Sequence, residues 1–150
     1  MNCGIIGMGK MGISHCSILG SHPQIKQISI CDHSQFLLSA FKQHSNYRCY
    51  TDFKKMINEN NLDFVVVATP NKSHFDIVKY ILNNNCHVFC EKPFVLHPQQ
   101  GRQLNALAIE KKLVNQVGFH NRFIGTFQAA KRYADSGLIG DIYHIKGEAY

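Results

Sequence analysis

Gly7-Met8-Gly9-Lys10-Met11-Gly12 carries the sharpest chemical spacing in this 150-residue chain. Three glycines so placed suit a diphosphate. The first permits a tight turn, the second lets the phosphates reach the backbone, and the third lets a helix pack closely on a strand. Amides opening such a helix would face phosphate oxygens from the positive end of its dipole. The apolar run Cys3–Ile6 precedes the glycines, and Asp32 closes the second apolar run about twenty residues on. Together these point to dinucleotide binding, with Gly7, Met8, Gly9, Lys10, Met11, Gly12 and Asp32 as contacts, rather than to a structural Gly-rich turn. A carboxylate at Asp32 would accept hydrogen bonds from adenosine ribose hydroxyls and repel a 2′-phosphate. Neither His33 nor Ser34 supplies an Arg to hold that phosphate. The expected cofactor is NAD in preference to NADP. As an alternative, Asp32 only caps the following helix.

Two further segments follow apolar runs directly: Thr69-Pro70-Asn71-Lys72-Ser73-His74 after Phe64–Ala68, and Glu91-Lys92-Pro93-Phe94 after His87–Cys90. If those runs are parallel strands, both segments lie at the carboxyl edge, where open α/β sheets bind ligands. Lys92 is the candidate general acid/base there, because partial burial and nearby charge can bring a lysine towards neutrality. The alternative is a salt bridge among neighbouring loop charges. No metal site is expected. The six cysteines include no Cys-x-x-Cys, and Cys86, His87 and Cys90 lack a second ligand pair. They read as reduced, buried small hydrophobes.

These groups need a scaffold, and the periodicity describes one. Short apolar runs (Cys3–Ile6, Ile25–Cys31, Tyr47–Tyr50, Asp63–Ala68, His87–Cys90, Leu113–Val117) alternate with helical stretches (Met11–Gly20, Gln35–His44, Phe53–Glu59, Lys72–Asn84, Pro98–Lys112, Ile124–Ser136). Such alternation predicts an α/β fold, a Rossmann-type doubly wound parallel sheet with helices on both faces. Phe64-Val65-Val66-Val67-Ala68 has the unbroken apolar character of a central strand. The expected dinucleotide-binding domain covers residues 1–140. From Asp141 the pattern alternates with period two, so residues 141–150 are expected to open a second domain whose remainder is absent. An unpaired strand there would favour self-association into a homo-oligomer.

Composition narrows the class. With 45% hydrophobic and 17% charged residues the chain is globular rather than disordered. The apolar runs are too short to span a bilayer, and the N-terminus lacks the basic and apolar regions of a signal peptide. A soluble, cytoplasmic protein without membrane partners is expected. The net charge of +6 comes from Lys and Arg scattered in ones and twos, such as Lys54-Lys55 and Lys131-Arg132. A nucleic-acid footprint needs clustering, so none is expected.

The order of these motifs, completed by Gly118-Phe119-His120-Asn121-Arg122-Phe123, resembles the Gfo/Idh/MocA oxidoreductases, relatives of glucose–fructose oxidoreductase and inositol dehydrogenase. The likeness runs along essentially the whole chain, with Glu91-Lys92-Pro93 its most specific part. It implies a Rossmann domain followed by an α+β domain with a large open sheet. It also implies hydride transfer between nicotinamide and a sugar, polyol or related hydroxyl or carbonyl compound. By the same resemblance Lys92 is the catalytic lysine, and Glu91, Lys92 and Pro93 together border the nicotinamide side of the cofactor. Thr69, Pro70, Asn71 and His74 line the cofactor cleft, and Arg122 lies near the nicotinamide end. The family's second domain supplies the substrate contacts and an Asp and a His, which have no counterpart here, so this chain alone is expected to be inactive. Two rivals differ in kind: a non-catalytic NAD(H)-binding regulatory or scaffold module, and a methyl-donor-binding Rossmann-like domain. The second leaves Glu91-Lys92-Pro93 unexplained.

Overall fold

A computed structural model describes residues 1–148. The chain divides into two compact units, Met1–Gly118 and Phe119–Tyr150. The first unit alternates strands and helices: β1 Asn2–Ile6, α1 Lys10–Gly20, β2 Gln27–Cys31, α2 Gln35–His44, β3 Arg48–Tyr50, α3 Phe53–Glu59, β4 Phe64–Val67, α4 His74–Asn83, β5 His87–Cys90, α5 Pro98–Glu110 and β6 Asn115–Val117. The strands form one sheet in the order β3-β2-β1-β4-β5-β6, and every neighbouring pair is parallel. This is the doubly wound Rossmann order, with the direction of winding reversing between β1 and β4.

The sheet is buried on both faces, and the period-two rule sorts its residues. Cys3 and Ile5 of β1, Ile28 and Ile30 of β2 and Val66 of β4 pack with Cys16 of α1 and Leu38 of α2. Val65 and Val67 of β4 and Val88 and Cys90 of β5 point the other way, onto Met56 of α3, Ile77 and Ile81 of α4 and Leu104 of α5. Fully burying side chains of this size contributes about 1.5–3 kcal/mol each. The short edge strands β3 and β6 carry no fully buried residue and are held by parallel pairing to β2 and β5. Packing is also close at Gly4, where a Cβ would sit 2.9 Å from the methyl at the end of the Met56 side chain.

Helix starts follow local chemistry. Ser34 Oγ accepts from the Leu37 amide at 3.3 Å to open α2, and Asp52 accepts from the Lys54 amide at 2.8 Å to open α3. Pro98 takes the first turn of α5. Helix α1 differs: Gly9 occupies the cap position and brings no side-chain acceptor to the first-turn amides.

In the second unit a short 3-10 turn, His120–Phe123, leads into α6, Gly125–Asp135. The larger compact unit ends at Gly118, earlier than the residue 140 read from the sequence, since the turn and α6 contact each other within the second unit. Residues 141–148 form no strand. Period-two alternation supplies faces for a strand, but a strand also needs a ladder partner, and none pairs with this stretch among the described residues. Ala149 and Tyr150, the end of that expected strand, lie outside them. No helix among the described residues is long and apolar enough to cross a membrane.

Candidate cofactor cleft

Four strand ends converge at the carboxyl edge of the sheet. Gly7 leaves β1 with φ +90°, a backbone conformation that side chains rarely adopt. A Cβ there would lie 2.7 Å from the Ala68 carbonyl oxygen and 2.9 Å from the Thr69 amide nitrogen, so the glycine turn abuts the turn after β4. At Gly12 a Cβ would overlap the Gly7 carbonyl oxygen, which is why the first turn of α1 can press onto the end of β1. Gly9 is different, for a Cβ built there meets nothing within 4 Å. The three glycines thus divide: two are required by the chain's own packing, and one faces open space.

That space is a cleft of about 710 Å³, within the usual range for small-molecule and cofactor sites. Gly7, Gly9, Lys10, Met11, Asp32, Thr69 and Pro70 line it, together with His33, Thr51, Phe53, Ser73, Asp76 and Ile77, which the sequence did not single out. Thr51 and Phe53 follow β3, so the strand-end rule applied to that short run would have found them. Cys31 lies at the floor. Burial pushes its thiol up to about 12, with the charges of Asp52 and Asp32 adding to the effect. It is a neutral wall, not a nucleophile.

Asp32 organises the cleft wall. Its Oδ2 accepts from the Met8 amide at 2.7 Å and its Oδ1 from the Ser34 amide at 2.8 Å. The carboxylate therefore holds the glycine turn and the turn after β2 together. The helix cap that Asp32 could have supplied comes from Ser34 instead. Met8 contributes its amide, while its side chain is fully buried beneath the turn.

His74, expected to line the cleft, lies below it and is 1% exposed. Its Nε2 is 2.8 Å from the Thr69 carbonyl oxygen, and its Nδ1 is 3.0 Å from that of Pro93 and 3.2 Å from that of Phe94. It clasps the turn after β4 to the turn after β5, because the start of α4 points its first side chain inward between them. Asn71 begins the 3-10 turn Asn71–Ser73 and is absent from the cleft wall.

The Glu91-Lys92-Pro93 segment leaves β5 through a cis Lys92–Pro93 peptide. Glu91 is buried and Lys92 exposed, so the partial burial expected of Lys92 is not found. The two do not pair through their side chains: Glu91 Oε1 lies 2.8 Å from His15 Nε2 of α1, and Oε2 accepts from the Lys92 amide at 3.2 Å. The carboxylate turns back under the sheet edge and leaves the ammonium without a hydrogen-bond or ion-pair partner among the described residues. His15 had no signal in spacing alone beyond sharing the inner face of α1 with Gly12 and Cys16. Arg122 belongs to the second unit, where its guanidinium lies 5.9 Å from the Phe119 ring centroid.

All six cysteines are free. Among the described residues no group of three or more His, Cys, Asp and Glu could hold a metal ion.

A parallel sheet in this order, a positive-φ glycine turn at its reversal point, and a carboxylate at the end of β2 define a dinucleotide-binding Rossmann domain. A family model described as an oxidoreductase family with an NAD-binding Rossmann fold matches residues 1–119. The chain belongs to this family, the Gfo/Idh/MocA oxidoreductases. It is 28% identical to an inositol 2-dehydrogenase of Salmonella typhimurium over 156 residues, spanning 100% of this chain and 46% of that protein. It is also 28% identical to a D-glucoside 3-dehydrogenase of Escherichia coli, covering 93% of this chain and 40% of the relative. Among solved structures, scyllo-inositol dehydrogenase from Lactobacillus casei with bound NAD(H) and scyllo-inositol superposes with a TM-score of 0.86 at 28% identity. That match covers 95% of this chain and 43% of the other. The chain therefore spans less than half the length of these relatives.

Proposed function

We propose that this chain is the cofactor-binding half of a dehydrogenase that prefers NAD to NADP and acts on a hydroxyl of a sugar-like polyol, with Lys92 as its acid/base. The observation that carries this reading is the position of Lys92: its ammonium leaves the end of β5 with no hydrogen-bond or ion-pair partner among the described residues, on a loop that His74 clasps to the wall of the cleft. When bound, NAD supplies the hydride acceptor. The chain's own part is to seat the diphosphate at Gly9 and the first turn of α1, and to offer Asp32 to the ribose. Oxidising an alcohol also requires its hydroxyl proton to leave as hydride departs. That proton passes to Lys92 Nζ, which returns one in the reverse direction. The preference for NAD is supported by Asp32, whose carboxylate would meet a 2′-phosphate with like charge and whose neighbours His33 and Ser34 offer no guanidinium. The substrate class is supported by the polyol and sugar names of the relatives.

The test is Lys92→Ala in the full-length protein, assayed with myo-inositol and scyllo-inositol. Turnover should fall by roughly 10²–10⁴, the usual contribution of a positioned acid/base, while NADH affinity measured by calorimetry stays within about threefold, since no cofactor hydrogen bond is assigned to the Lys92 side chain. Equal loss of both would show that Lys92 binds cofactor and does not transfer a proton.

A further inference from the structure

The best-built contact outside the cleft lies behind Lys92. His15, three residues after Gly12, brings Nε2 to 2.8 Å from Glu91 Oε1, with the two side chains only 20% and 11% exposed. The other ion pairs among the described residues, Lys55–Glu59, Lys131–Asp135 and Lys146–Glu148, join groups at least 46% exposed. Exposed pairs of that kind contribute little. The His15 contact is of another kind, because each partner is also fixed from a second side. The His15 ring meets Phe89 edge-on at 5.3 Å between centroids. On Glu91, Oε2 accepts from the Lys92 amide at 3.2 Å. That same oxygen sits where a Cβ on Gly118 would approach to 3.2 Å, so the residue after β6 packs closely against the carboxylate.

A residue needed merely to fill space between α1 and the sheet could be Leu or Met. A histidine aimed at a buried carboxylate is a costlier choice, since losing either partner strands a polar group. We infer that His15 is a positioning residue for Lys92. By holding Oε1 it fixes the Glu91 carboxylate, which through Oε2 holds the amide of Lys92 and so sets the direction in which that side chain leaves the strand end. One helix, α1, then carries the cofactor turn at its first residues and the strut for the proton-transferring residue one turn later. The relative placement of hydride acceptor and base is built into a single rigid element. The inference rests on the proposed role of Lys92, but its first readout does not.

That readout is hydrogen exchange of the Lys92 amide, followed by NMR in this chain. His15→Leu should speed exchange there by about tenfold or more, and His15→Gln, whose amide nitrogen donates from nearly the place of Nε2, should restore it to within about threefold. Amides of β2 should not change in either variant. If His15→Leu also loosens β2, His15→Asn, polar but too short to reach Glu91, carries the same expectation. A Lys92 amide within twofold of wild type in the Leu and Asn variants, or a Gln variant no slower than Leu, would overturn the inference. The second readout is steady-state kinetics of the full-length protein: kcat lower by about tenfold or more in His15→Leu, with KM for NAD within about threefold, and kcat recovered in His15→Gln. Faster exchange with unchanged kcat would also overturn the positioning role. Failure of the Lys92→Ala test would instead remove the acid/base assignment and leave the exchange result standing.

Discussion

Replacing Gly9 by Ala should separate cofactor affinity from folding. At this position φ is −71° and ψ −169°, values open to any residue, and an added Cβ has no neighbour within 4 Å. Alanine is a poorer helix cap than glycine by a few tenths of a kcal/mol to about 1. Loss of glycine's freedom in the unfolded chain offsets this by about 0.4–1 kcal/mol. Stability should therefore stay within about 1 kcal/mol of wild type. In the proposed binding mode, the same methyl group would stand where the diphosphate comes within hydrogen-bond reach of the first-turn amides of α1. Losing one charge-assisted hydrogen bond costs about 1.5–3 kcal/mol, or roughly 10- to 150-fold in NADH affinity. Gly7→Ala is the contrasting arm. Its φ of +90° and a backbone oxygen 2.7 Å from the new Cβ leave no side chain to move aside, so about 3 kcal/mol of stability should go, from strain and overpacking together. Calorimetric titration with NADH reads the affinity, and suits a chain without Trp. Urea unfolding followed by circular dichroism reads the stability. Gly9→Ala binding NADH within twofold of wild type would refute the assignment of that open space to the diphosphate, and so would a stability loss above about 2 kcal/mol.

Asp32→Ala should act on both quantities at once. It removes the acceptor of the Met8 and Ser34 amides, at a cost of about 2 kcal/mol in urea unfolding, and it should narrow the ratio of NADPH to NADH dissociation constants by about tenfold; an unchanged ratio would show that the carboxylate does not select the cofactor. The buried thiols make stability fall in alkali. Burial raises the Cys3, Cys31, Cys86 and Cys90 thiols from 9.0 to about 12. Because the folded chain holds these groups protonated, their contribution is complete below pH 9 and drains away as pH rises from 9 towards 12. The urea midpoint should drop between pH 8.5 and 10.5, and less steeply in Cys86→Ala; a flat profile would contradict the burial argument.

Much of this protein is written in local chemistry. The glycine turn, Asp32 at the close of β2 and the alternation of strands with helices are readable one segment at a time. A turn needing positive φ demands glycine, a strand buried on both faces must be apolar throughout, and helical faces repeat every three or four residues. Parallel crossovers then leave few ways to order the strands, so the motifs after β1, β2, β4 and β5 had to meet at one edge. What the sequence could not determine is which polar groups pair across that edge. Glu91 and Lys92 are neighbours in the chain, yet the carboxylate finds its partner in His15, 76 residues away, and His74 turns from the cleft wall to join two loops beneath it. Pairings of this kind depend on the angle at which α1 and α4 cross the sheet, and that angle is set by side-chain packing over the whole core.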